Sequence, residues 1–183
     1  MKRNFNRFII GLLSFWGFLS GNAEGNSSLH VKKWLNVSFD SHPTGELALD
    51  IFRPNDSKKR PVVLCLHGGF WAKGSKKFMH PLAEGLVEKG YVAVCSNYRL
   101  TDVAPAPAQL HDVFSAIRFL RKNASEYGID SKKIGVTGSS AGGYLAVMAA
   151  VFDSGDKRTR PNAAVGMGAQ TDLTSPHIQN STV

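Results

Sequence analysis

The sequence predicts an α/β fold: a mostly parallel sheet with helices on both faces. Three observations carry this. Strand-like and helix-like segments alternate from residue 62 onward. The strand-like runs 62–66 and 91–95 are continuously apolar, which marks strands covered on both faces. Glycine-rich turns follow two of the strands, at residues 67–69 and 138–143.

The elements follow in order. Lys2, Arg3 and Arg7 give a positive start, residues 8–19 an apolar run, and Gly21-Asn22-Ala23 a small-residue cleavage site. This is a signal-peptide pattern over residues 1–23, cut after Ala23. The apolar run is shorter than the roughly 20 residues a membrane span needs. The expectation is a secreted or periplasmic protein with no stable membrane insertion after cleavage. Residues 24–34 read as a leader and 35–183 as one domain. Segments 37–39 and 47–52 form an antiparallel pair around the turn His42-Pro43-Thr44-Gly45. Residues 54–60 are a polar turn before the buried strand 62–66. Phe78, Leu82, Leu86 and Val87 space a helix over 78–89, ended by Gly90. Strand 91–95 leads to a long helix with Leu110, Val113, Ile117, Leu120 and Ala124 on one face. Asp112 near its start and Arg118, Arg121 and Lys122 near its end suit the helix dipole, and Gly128 closes it. Strand 134–137, helix 144–152 and strand 163–167 complete the pattern.

Composition narrows the function. The 183 residues are 43% hydrophobic and 20% charged, which excludes a disordered chain, a collagen and a multi-span membrane protein. The net charge is +8, but the basic groups 58–60, 76–77, 132–133 and 157–158 sit in polar stretches and read as solvated loops. No helix has a basic face and no aromatic residues alternate with these groups, so no nucleic acid is expected as a partner. The six histidines are dispersed without metal-ligand spacing; no metal and no cofactor are implied. Cys65 and Cys95 fall inside strands and read as buried free thiols.

The chemistry is concentrated in two motifs. Gly138-Ser139-Ser140-Ala141-Gly142-Gly143 lies between a strand and a helix, the setting of a nucleophile elbow. Gly138 and Gly142 let strand and helix approach, and Gly143 extends the small-residue run. Ser140 projects as the candidate nucleophile, and the Ala141 N–H is placed for an oxyanion. Tyr144 stands where a P-loop needs lysine, and Ser140 where a dinucleotide fingerprint needs glycine. His67-Gly68-Gly69-Phe70-Trp71 follows the buried strand 62–66 and reads as the second half of an oxyanion hole. Gly69 and Phe70 N–H are the expected donors, with Gly68 shaping the turn. His67 reads as an organiser of this loop and Trp71 as a pocket wall.

The stretches HGGFW, SNYRL, APAQLHDVFSAIRFLRKNASEYGID and KIGVTGSSAGGYLA resemble the α/β-hydrolase fold. Within it they are similar to hormone-sensitive-lipase-like esterases and most of all to the BD-FAE type, the feruloyl and acetyl-xylan esterases. The resemblance covers roughly residues 35–175. It implies a serine carboxylic-ester hydrolase acting on a small-molecule or polysaccharide-linked ester. Phe70 departs from the third glycine of many relatives, and Ser139 from their acid.

The family's triad runs Ser, then Asp or Glu, then His along the chain. Beyond Ser140 the acids are Asp153, Asp156 and Asp172, and the one histidine is His177. The resemblance makes Asp172 a loop residue near the site and His177 an exposed residue, so acid and base are expected beyond Val183. The expectation is an α/β-hydrolase with its last strands missing and its turnover impaired. Two other readings stay open: a pseudo-hydrolase that binds without turnover, and a fragment of a prolyl-oligopeptidase-type serine peptidase.

Overall fold

A computed structural model of the chain describes residues 30–174. The expected signal peptide, residues 24–29 and His177 lie outside the described residues. The described part holds six strands in the order β1-β2-β4-β3-β5-β6. They are β1 Val31–His42, β2 Gly45–Pro54, β3 Arg60–Leu66, β4 Val92–Ser96, β5 Ile129–Ser139 and β6 Ala163–Met167. Three α-helices accompany them: α1 His80–Glu88, α2 Ala108–Lys122 and α3 Ala141–Val151. β1–β2 and β2–β4 pair antiparallel, while β4, β3, β5 and β6 run parallel.

Side chains alternate across the buried strands, and each face has its own helices. Leu64 and Leu66 of β3 and Val92 and Val94 of β4 pack with Val113, Ile117 and Leu120 of α2 and Leu145 and Ala146 of α3. Cys65, Ala93 and Cys95 point the other way, onto Met79, Ala83 and Val87. The α/β fold with helices on both faces is therefore as expected. Both cysteines are free and buried.

Several boundaries differ from expectation. β1 begins at Val31, inside the segment read as leader, because Val31, Lys32, Lys33 and Trp34 find partners in Pro54, Arg53, Phe52 and Ile51. The helix expected from Phe78 begins at His80, after a 3-10 turn Lys76–Met79. Pro81 lacks a backbone N–H and fits only the first turn of a helix. Phe78 is therefore off the helix face, with 70% of its surface exposed. Gly128 does not close α2. The helix ends at Lys122, where the Asn123 side chain caps the Phe119 carbonyl at 2.9 Å, and Gly128, at φ +62°, shapes the turn into β5.

The basic residues also sort differently. Lys76 is buried and ion-paired with Asp50 rather than solvated. Arg118, Arg121 and Lys122 share the last turns of α2 and converge with Arg158 on one cavity, so this helix does carry a basic face. Asp112 does not serve the helix dipole from the surface. It is buried and held by Arg99, whose backbone N–H and guanidinium both donate to it.

Candidate active site

Ser140 stands between the last residue of β5 and the first of α3. Its backbone is at φ 51° and ψ −117°, a left-handed conformation that a residue with a Cβ avoids. Such strain persists only where the surroundings hold it. Here Ser140 N–H donates to Met167 O of β6 at 2.8 Å, and Ser140 O accepts from Tyr144 N–H at 2.9 Å. The elbow is thus tied to the neighbouring strand and to its own helix.

The flanking glycines are required by contact. A Cβ on Gly142 would stand 2.3 Å from Leu66 O and 2.4 Å from His67 O. One on Gly138 would meet the Gly142 backbone at 2.4 Å. No side chain fits at either position, so α3 starts against the end of β3 only with these residues absent of Cβ.

The loop after β3 meets the elbow at this point. A Cβ on Gly68 would lie 3.3 Å from Ser140 Cβ and 2.9 Å from Ser139 O. Gly69, Phe70 and Trp71 are three consecutive residues at positive φ: 122°, 55° and 59°. The coil is closed by Ala72 and Lys73 N–H on Gly69 O, both at 3.0 Å, and by Thr101 N–H on Trp71 O at 2.9 Å. Among the described residues, the Gly69, Phe70 and Ala141 N–H groups have no protein acceptor. The structure therefore brings Gly68, Gly69, Phe70, Ser140 and Ala141 into one neighbourhood from two segments far apart in sequence.

His67 sits beneath this loop, 1% exposed. Its ring stacks on Tyr98 with centroids 4.3 Å apart, and its Nδ1 is 2.8 Å from Gly68 O. Tyr98 Oη donates to His67 O at 2.8 Å. Burial lowers the His67 pKa and raises that of Tyr98, so a neutral imidazole packs on a neutral phenol. These contacts tie the start of the loop to Tyr98, just beyond β4.

A buried polar cluster holds the loop's exit. Lys76 N–H donates to Asn97 Oδ1 at 2.8 Å, and its ammonium reaches the Asp50 carboxylate and Asn36 Oδ1, the latter at 2.6 Å. Asp50 also accepts from Asn36 N–H at 2.8 Å and lies 2.9 Å from His80 Nε2. Burial alone would raise the Asp50 pKa, but the hydrogen bonds from Lys76, Asn36 and His80 outweigh it and lower it. Sequence reasoning missed this cluster and the Arg99–Asp112 pair. The quoted stretch SNYRL contains Asn97, Tyr98 and Arg99, so part of the signal was present without its partners.

Two cavities adjoin the elbow and its loop. One, of about 250 Å³, is walled by apolar side chains, among them Trp71, Tyr144, Leu110, Met148 and Phe152. Trp71 and Tyr144 meet edge to face with centroids 5.5 Å apart. The other, of about 510 Å³, has Gly68, Gly69, Lys73, Phe78 and Ser139 on its walls. Asp172 lies in the loop after β6, where its carboxylate accepts from the Thr174 N–H and hydroxyl at 2.9 and 2.6 Å. Among the described residues no histidine or carboxylate hydrogen-bonds to Ser140 Oγ, and no group of three or more His, Cys, Asp or Glu could hold a metal.

A strained serine elbow at the end of a parallel strand, beside a left-handed glycine loop, defines a protein of the α/β-hydrolase fold. The BD-FAE family matches residues 49–175, and the chain belongs to it. The chain is 38% identical over 117 residues to the probable carboxylic ester hydrolase LipM of Mycobacterium tuberculosis, covering 62% of this chain and 27% of that protein. It is 41% identical over 91 residues to the carboxylesterase NlhH of the same organism, 49% of this chain and 28% of the relative. Among solved structures, the Est2 esterase of Thermogutta terrifontis superposes with a TM-score of 0.62 at 28% identity, over 70% of this chain and 50% of that one. The chain thus spans about a quarter of the curated relatives' length and about half of this esterase.

Proposed function

We propose that this chain carries the nucleophile half of a carboxylic-ester hydrolase, with Ser140 as nucleophile and Ala141, Gly69 and Phe70 N–H as oxyanion donors. The observation that supports the reading is the close approach of Gly68 to Ser140, which brings a loop with two amides lacking a protein acceptor, those of Gly69 and Phe70, up to the elbow. Ser140 Oγ attacks the ester carbonyl carbon, and the carbonyl π pair moves onto oxygen. The amides stabilise that oxyanion at no reorganisation cost. The tetrahedral intermediate collapses, the alcohol leaves with a proton, and water then hydrolyses the acyl-serine. The base that takes the Ser140 proton lies outside the described residues. His67 is not that base, since its ring is buried against Tyr98 and its Nδ1 faces Gly68 O.

The apolar cavity beside Trp71 and Tyr144 takes the apolar part of the ester. The alcohol part is a small molecule or a polysaccharide, a reading supported by family membership and by a bifunctional GH43-CE protein of Bacteroides eggerthii that is 35% identical with a TM-score of 0.59. Residues 1–23 direct export, and cleavage after Ala23 gives a product beginning at Glu24. N-terminal sequencing of the exported product checks that step; intact Met1 in the cytosol would refute it.

The activity is tested with short p-nitrophenyl esters. Removing one triad member leaves roughly 10³–10⁴-fold enhancement over water. We expect the 183-residue chain to turn over weakly and Ser140→Ala to remove what it has. Substantial turnover that is lost in His177→Ala would instead make His177 the base.

A further inference from the structure

At the end of α2 away from the apolar cavity lies a third, larger cavity of about 810 Å³, within the rough 300–1,000 Å³ range of ligand clefts. The Pro107 end of the helix faces the first cavity and the Lys122 end faces this one. Four cations reach it, from α2 and from the 3-10 turn Lys157–Thr159, and β1 supplies one carboxylate, Asp40.

The cations are not equally committed. Arg121 donates to the carbonyls of Ser131, Arg158 and Arg160 and so fastens α2 to the entry of β6. Arg158 is bonded to Asp156 through Nε and a terminal nitrogen. Arg118 makes one hydrogen bond, to Ser115 Oγ at 2.9 Å, and Lys122 makes no ion pair among the described residues. Both are exposed. Arg118 also acts on the Asp40 and Asp156 carboxylates. Four cations thus face two carboxylates, which leaves a surplus of positive charge for an anion.

The remaining walls restrict what that anion is. Phe39 and Phe119 meet edge to face at 6.4 Å and offer half-buried apolar ring surface. Asp40 is ionised: burial opposes this, but the Ser115 hydroxyl, Ser41 N–H, His42 and Arg118 outweigh it and lower its pKa. An ionised carboxylate only accepts hydrogen bonds, so the ligand must bring donors as well as negative charge. A bare run of phosphates brings charge but no donors for Asp40.

From these walls we propose that the cavity between β1 and the C-terminal turns of α2 binds a uronic-acid-bearing oligosaccharide. Its carboxylate lies against Arg118 and Lys122, its hydroxyls donate to Asp40, and the C–H face of a sugar ring lies on Phe39 and Phe119. Arginine's planar fork suits a carboxylate and lysine adds a point charge. The site lies apart from Ser140 and does not depend on Ser140 being a nucleophile.

The test is titration calorimetry of the 183-residue chain with trigalacturonate, maltotriose and a trinucleotide of thymidylate. Thermal unfolding of each variant confirms that it is folded. The expected result is saturable trigalacturonate binding that is at least tenfold tighter than maltotriose and weakens with added salt. Arg118→Glu/Lys122→Glu should lose tenfold or more, while Ser140→Ala binds as the parent does. The proposal is overturned by absent binding, by equal binding of the neutral sugar, by tighter binding of the trinucleotide, or by a folded double variant that binds as the parent.

Discussion

β3 and β6 flank the same strand. Both pair parallel with β5 and both are rich in small or apolar residues, yet one is mostly buried and the other is open. Leu64, Cys65 and Leu66 of β3 have no exposed surface, whereas Val165 and Met167 of β6 expose 60% and 41%. The difference is not in the residues. β3 has β4 on its far side and helices over both faces; β6 has α3 packed near it and, among the described residues, no strand beyond it. Burial is conferred by neighbours, so an apolar run identifies a strand without saying how many sides of it are covered.

The candidate site spans this contrast. Its two glycine motifs follow β3 and β5, and the strained Ser140 N–H is held by Met167 O of the open strand. The well-packed side fixes where the loop and elbow meet, and the open side holds one of the bonds that keep Ser140 in its left-handed conformation.

The contrast can be broken most severely at the elbow. Gly142→Ala drives a Cβ into the carbonyls that end β3, and with no flexible side chain to yield it should cost more than about 4 kcal/mol, read by urea unfolding or as loss of soluble protein. Lys76→Met leaves the Asp50 carboxylate buried without its ammonium and should cost about 3–5 kcal/mol; Asp50→Leu with Lys76→Met should recover most of that. Leu64→Ala opens a cavity beneath α2 and should cost about 2–5 kcal/mol, while Val165→Ala on the open strand should stay within about 0.5 kcal/mol. Equal costs for Leu64 and Val165 would abolish the comparison.

Much of this was legible in the sequence. Glycine spacing after two apolar runs marked the strand-to-helix turn at Ser140 and the loop after β3 that meets it, because close backbone contact admits few other residues. What escaped depends on partners distant in sequence. Lys76 reads as a surface lysine until Asp50 and Asn36, 26 and 40 residues away, are brought to it. The α2 cations read as dipole partners until the turn Lys157–Thr159 folds against them. The exposure of Phe78 follows from Pro81, a signal that was present and outweighed by apolar spacing.

Acid sharpens the comparison from another direction. The lowered pKa of His67 means that the unfolded chain binds its proton first, so stability is lost as pH falls below roughly 6.5. The lowered pKa of Asp50 adds a second loss as pH falls below roughly 3.9. Thermal midpoints measured from pH 8 to 3 should decline in both windows, and His67→Gln should remove the first. The smallest effect is expected at the open edge. Val165→Lys should leave the unfolding midpoint nearly unchanged and reduce self-association in sedimentation, since a charge blunts an exposed strand.

The central claim is that Ser140 is a nucleophile addressed by two oxyanion segments. It is tested most directly by incubating the chain with a p-nitrophenyl phosphonate, whose tetrahedral adduct imitates the intermediate, and mapping the modification by mass spectrometry. The account predicts one slow adduct on the peptide containing Ser140, absent from Ser140→Ala and slowed further when a Cβ at Gly68 crowds the oxyanion loop. No adduct, or one on another residue that survives Ser140→Ala, would contradict it.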